Sequence, residues 1–221
     1  MLRQLELFEE RSGMQSKKHL LALLLCVVCL AGMLGGCKGD SSSSASEVTV
    51  DMEDLEYGAT MKDDTETYAL PISYDKRFLS EDQLTAITKY YNAILTQDKD
   101  AYCAVTVDFY IAYWRDTVYS GVMSTSQLIH RQYRDWEEMT ADGCTISMIT
   151  VDHYISETDS TSNLDQLYTM LNEISGEDFR STIQDGCYLE LSLDLTADGK
   201  TSTIEAGLYL IETADGWFIC P

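Results

Sequence analysis

Three histidines, a band of aromatic residues and seven cysteines are the side chains of this 221-residue chain that could do chemistry. A general base needs a partner within hydrogen-bond reach, so His130 and His153 come first, with Asp108, Asp135 and Tyr110 as partners by residue type. His153 lies in a stretch of strand character, Thr145 to Ser156, and shares its parity with Ile149, Val151 and Ile155. The alternation therefore predicts that it points inward, which makes it the leading single pocket candidate. His130 sits one position from Ile129 on a helical stretch, where an edge residue satisfied by a neighbour is the favoured reading. Tyr102, Phe109, Tyr110, Tyr113, Trp114, Tyr133 and Trp136 cluster on two expected helices. They would line an apolar cavity for a small ligand or serve as core, and the core reading is favoured. Asp98-Lys99-Asp100 and the stretch Asp194 to Gly199 lack the spacing of a calcium loop. The chain contains no glycine-rich phosphate loop and no Gly-x-Ser-x-Gly elbow. No catalytic residue, metal or cofactor is assigned.

The cysteines divide by position. Cys26 and Cys29 belong to the apolar run Leu20 to Leu34, which follows Lys17-Lys18. A basic start, an apolar stretch and a small-residue cleavage site make a secretory signal, and the run is short for a spanning helix of about 20 residues. Its end, Leu34-Gly35-Gly36-Cys37, resembles a bacterial lipobox. The resemblance implies that Cys37 receives diacylglycerol on sulfur and that cleavage occurs just before it. Two or three acyl chains anchor stably where one is marginal. Met1 to Gly13 is too acidic for a signal start, so translation is expected to begin at Met14, and residues 1–36 are set aside as signal. Cys103, Cys144, Cys187 and Cys220 remain in the domain. Their even number permits two disulfides in three pairings; the alternative is four buried free thiols. No pair has zinc-ligand spacing.

From Cys37 onward the chain carries 34 acidic and 11 basic residues, a net charge of −23. Nucleic-acid binding needs a basic footprint and is excluded. The acidity is read as solvation and as repulsion from anionic lipid. Residues 37–67 read as a lipidated cysteine and a Ser-rich, acidic linker, too poor in core residues to fold alone. A flexible chain of about 25 residues spans roughly 25–30 Å. One domain is expected over residues 68–221.

Within it, Ser80 with Gln83 and Ser124 with Gln127 form capping boxes that open two amphipathic helices. A further helix is expected from Asp100 to Trp114, weakened by the β-branched run Val105-Thr106-Val107. Thr145 to Ser156 reads as a strand with a bulge near Met148-Ile149, followed by a helix with Leu164, Leu167, Leu171 and Ile174 and a C-terminal cap at Gly176. Cys187 to Thr196 alternates with period two, Asp198-Gly199 marks a hairpin turn, and two more strands close the chain. Helices before an antiparallel meander predict an α+β fold, with the helices covering one face of a curved sheet.

The opening helix with "YYNAILTQDKDAY" and the closing "GLYLIETADGWFI" resemble the nuclear transport factor two superfamily of cystatin-like, cone-shaped domains. A nearer likeness is to exported lipoproteins of Firmicutes type, which share the lipobox, the Ser/acidic linker and the closing hairpin. The resemblance covers roughly Leu79 to Ile219, and the helix after Ser162 departs from it. It implies a lipid-anchored domain outside the cytoplasm, held at the cell membrane through Cys37, and is nearly silent on function; the first reading of the role is binding of a small molecule, a peptide or an envelope protein without catalysis. Enzymes of the superfamily place polar residues inside the cone, so an isomerase or hydrolase is the alternative. A homodimer through the sheet is a third reading, for which Tyr188, Tyr209 and Ile211 would be the outward apolar residues.

Overall fold

The computed structural model describes residues 55–221. The signal, the lipidation site at Cys37 and residues 37–54 of the expected linker lie outside the described residues.

Six strands form one sheet in the order β1-β2-β3-β4-β5-β6. They are β1 Met61–Asp64, β2 Ile72–Asp75, β3 Thr145–Ser156, β4 Asp185–Ala197, β5 Lys200–Thr213 and β6 Gly216–Cys220. Every neighbouring pair is antiparallel except β2 and β3, which run parallel through Ile72 and Ile149. The sheet is therefore mixed. A parallel pair needs a crossover, and here it holds α1 Glu81–Leu95, α2 Lys99–Cys103, α3 Asp108–Tyr113 and α4 Thr125–Met139. The last helix, α5 Leu164–Ser175, lies between β3 and β4.

Both capping boxes form. Ser80 Oγ accepts from the Gln83 amide while the Ser80 amide donates to Gln83 Oε1, and Ser124 with Gln127 does the same. The single helix expected from Asp100 to Trp114 is instead broken in two. At Val105-Thr106 the chain leaves helix, and Thr106 bridges Ile219 in parallel, with Ile219 N–H donating to Val105 O at 2.8 Å. The β-branched run thus covers the outer edge of β6, where an extended backbone satisfies the edge groups that a helix would leave open. A π-helical turn, Trp114–Val118, follows α3.

The helices do not all lie on one face. Gln83 Nε2 of α1 approaches Cys187 Sγ at 3.8 Å. The next residue back, Gly186, faces the opposite side of the strand. A Cβ there would stand 2.3 Å from the Tyr168 hydroxyl of α5. So α1 and α5 pack on opposite faces of β4, and the absence of a side chain at Gly186 lets α5 come close. The expected antiparallel sheet with one covered face is corrected on both counts. Ile211, expected to face outward, is fully buried, and Tyr188 and Tyr209 are half-buried.

The α1 face holds the core. Leu189, Leu191, Leu193 and Leu195 of β4 meet Ile149 and Val151 of β3 and Leu84, Ile87 and Ile94 of α1, all with 1 % or less exposure. At the β4–β5 hairpin Asp198 and Gly199 both adopt positive φ, 50° and 73°, the pairing a two-residue turn of matching twist requires.

Residues 55–67, read from composition as linker, belong to the folded unit. β1 pairs with β2, and the strap before it, residues 55–60, is hydrogen-bonded to Asp75 and Arg77 at the end of β2. β1 is short and carries Lys62, Asp63 and Asp64, which blunts an edge that would otherwise invite pairing.

Candidate functional site

β3 carries two register shifts against β4. Ser147 is passed over between Ile146 and Met148, and Asp152 between Val151 and His153. Each bulge moves the following residues to the other face. The first lies beside the expected position at Met148-Ile149. The second turns His153 outward, opposite Glu190. His153 is exposed, with its ring 6.1 Å from that of Tyr57. The inward histidine expected from parity is thereby corrected. The bulged Asp152 is held by Ser192, whose hydroxyl donates to it at 2.7 Å.

His130 is exposed on α4, with Nδ1 2.9 Å from Gln97 Oε1. Gln97 has a positive φ of 53° and its N–H bonds Ile94 O, while Asp98 N–H reaches Ala93 O. This closes α1 in a left-handed cap, and His130 fastens that corner to α4. Asp108 and Asp135 are both exposed. The groups proposed by residue type as acid–base partners are therefore not brought together.

The aromatic band separates into three settings. Tyr90 and Tyr102 stack at 5.3 Å, and Trp136 lies 6.2 Å from Tyr91, in the core between α1, α2 and α4. Tyr110 is buried on α3, donates its hydroxyl to Pro221 O at 2.7 Å and has its pKa pushed up to about 12 by burial. Trp114 meets Tyr110 at 6.3 Å and Tyr119 at 6.4 Å. Phe109 meets Phe179 at 4.8 Å, tying α3 to the segment after α5. Tyr113 and Tyr133 are half-buried; desolvation raises the Tyr133 hydroxyl. The pocket candidates thus serve different packing layers.

Among the described residues the four cysteines are free thiols; Cys144, Cys187 and Cys220 are buried and Cys103 is half-buried. Burial pushes each thiol up, most strongly at Cys187 and Cys220, which suppresses the reactive thiolate. Cys187 pairs with Leu210 and Cys220 with Tyr209, so β5 stands between the two cysteines. Two strand spacings come to about 10 Å, beyond the reach of a disulfide.

The most concentrated polar arrangement was not legible in the sequence. Asp75, at the end of β2, is 0 % exposed. It accepts from Gly58 N–H at 2.9 Å, Thr60 N–H at 3.4 Å, Thr60 Oγ1 at 2.5 Å, and Arg77 Nε and Nη2 at 3.0 and 2.7 Å. The Arg77 guanidinium also donates to Leu55 O and Glu56 O at 3.0 and 2.8 Å. Arg77, then Thr60 and the backbone donors, hold the Asp75 carboxyl well below the usual carboxylate range. Tyr57 completes the clasp by donating to Val151 O at 3.0 Å; burial raises its pKa to about 12. The chemistry is that of a fastener: every group faces another protein group. An Asp and an Arg two residues apart at a strand end are the only sequence signal, and the pairing is too common to single out.

Among the described residues, no group of three or more His, Cys, Asp or Glu is placed to hold a metal ion. Among the same residues, no helix is long and apolar enough to cross a membrane. No protein-family model, no curated protein and no solved structure matches this chain.

Proposed function

We propose that the chain is an exported lipoprotein, anchored to the cell membrane through acylated Cys37, whose α+β domain works by binding and not by catalysis. The observation that carries the reading is the order Lys17-Lys18, the apolar run Leu20 to Leu34, and Leu34-Gly35-Gly36-Cys37. The Ser-rich, acidic stretch that follows suits a spacer. A cone-like, cystatin-type arrangement is proposed as the finer description of the fold. The amphipathic α1 followed by the closing strands supports it, while α5 on the second face narrows any cone.

The test is metabolic labelling of bacteria that express the full chain with an alkyne fatty acid. Label on the native protein that disappears in Cys37→Ser supports the proposal. Label that survives the substitution, or an unlabelled native chain, overturns it. Native mass spectrometry of the released protein then asks for a co-purifying small ligand, which would identify the chemical class it binds.

A further inference from the structure

The chain protects the outer edges of β1 and β6. β1 is four residues long and charged, and Val105-Thr106 runs along β6. The first half of β5 has no such cover. β5 spans Lys200–Thr213, but β6 pairs only with its far end, from Tyr209 opposite Cys220 to Thr213 opposite Gly216. Backbone groups along a strand alternate between its two neighbours. Thr213 and Gly216 flank a two-residue turn, so Thr213, Ile211 and Tyr209 direct their N–H and C=O groups to β6. Gly207, Glu205, Thr203 and Thr201 direct theirs to the same side, where among the described residues no strand lies. All four are exposed. The pairing with β4 runs without a register shift from Glu212 to Lys200, and no proline interrupts it. Residues 201–207 are therefore an unbroken edge about 20 Å long, of the kind that accepts another strand.

The side chains beside this edge share one sign. Glu205 and Gly207 face the same side of the sheet as Asp194 and Glu190, which stand opposite Thr203 and Gly207 on β4. Glu190 and Glu205 are exposed and, among the described residues, neither makes an ion pair. The outward positions of β4 and β5 along this stretch hold no Lys or Arg. Gly207 leaves room there: a Cβ would stand 2.2 Å from the Tyr188 hydroxyl. Tyr188, with its ring 4.7 Å from that of Tyr209, thus reaches across β5 to the open edge. A side chain with an apolar stem and a cationic head fits this setting, its stem on the tyrosine and its head between Glu190 and Glu205. A second copy of the chain would instead bring Glu190, Asp194 and Glu205 against their own duplicates, and like charges in register repel.

We propose that residues 201–207 of β5 are a docking strip for an extended, lysine-rich segment of another protein, which joins the sheet as an added strand. Backbone hydrogen bonds to Thr201, Thr203, Glu205 and Gly207 hold it, and lysines at alternate positions meet Glu205 and Glu190. The inference names a partner for the binding role proposed above and rests on that role; lipid at Cys37 does not enter it.

The experiment measures, by fluorescence anisotropy at about 150 mM salt, binding of the full chain to a labelled eight-residue peptide of alternating lysine and threonine. Two controls accompany it: the same peptide with glutamate for lysine, and the lysine peptide with its three central amides methylated, which keeps the charge and removes the N–H donors. The lysine peptide is expected to bind, and both controls to bind about tenfold more weakly. Glu190→Lys with Glu205→Lys is expected to lose the lysine peptide to the same extent and to gain the glutamate peptide. Thr203→Pro alters no charge and removes an N–H that faces the open edge, and is expected to weaken binding about tenfold. Melting temperatures near native check that the variants fold. No binding of the lysine peptide at about 1 mM, equal binding of its methylated form, or native-like binding by the charge variant would each overturn the proposal. So would a native dimer that Thr203→Pro dissociates, since the edge would then belong to a second copy. A chain that carries a co-purified small ligand yet ignores the peptide loses this strip and keeps the binding role.

Discussion

Replacing Asp75 by Ala removes the acceptor on which the strap at residues 55–60 converges. The substitution leaves the Gly58 and Thr60 donors and the Arg77 guanidinium, only 11 % exposed, without their common partner. Breaking a buried pair from one side costs roughly 3–5 kcal/mol. The strap here is thin, and water reaches Arg77 once it lifts, so the lower end, about 3 kcal/mol, is expected. For a unit of this size that lowers the melting temperature by about 6–12 °C. Circular dichroism melts of the full chain measure the shift, and amide hydrogen exchange at Gly58 and Thr60 measures the release of the strap. The pH dependence has a definite sign. Asp75 is held below its unfolded value, so its contribution is complete above about pH 4 and is lost as pH falls through the folded pKa. The gap between the native protein and Asp75→Asn should therefore narrow between pH 7 and strongly acid solution. A variant that melts within about 2 °C of native, with the strap amides still protected, would refute the assignment of Asp75 as the fastener.

Gly186→Ala is expected to destabilise by about 1–3 kcal/mol, because the new Cβ collides with the buried Tyr168 hydroxyl. Adding Tyr168→Phe removes that atom and should recover part of the loss in a denaturant titration; no recovery would place the clash elsewhere. His153→Ala should melt within about 0.5 kcal/mol of native, since the bulge at Asp152 turns the ring to solvent, whereas a larger loss would mean that the ring is packed. In iodoacetamide labelling of the native fold, Cys103 should react first, with Cys144, Cys187 and Cys220 reacting after denaturation. A mass unchanged by reductant would confirm that none is bridged, and a two-dalton gain on reduction would contradict the free thiols.

Local chemistry was legible where a few adjacent residues suffice to satisfy it. The two Ser-x-x-Gln boxes start their helices as written because both partners of each bond lie within one turn. The clean alternation of β4 and the Asp198-Gly199 turn fold as expected for the same reason. β3 shows where that reasoning fails. Its alternation suggested one bulge, while the register holds two, and the second decides where His153 points. A bulge answers to the partner strand, which the sequence of β3 does not contain.

Sequence alone determined the acidic character, the capped helices and the α+β order of elements, because each depends on composition or near neighbours. Only the tertiary structure decided that Val105-Thr106 leaves helix to cover β6, that α5 takes the second face of β4, and that Asp75 recruits residues 55–60 into the fold. Those outcomes depend on desolvation and on backbone hydrogen bonds between segments distant in the chain, whose partners are known only once the chain has folded.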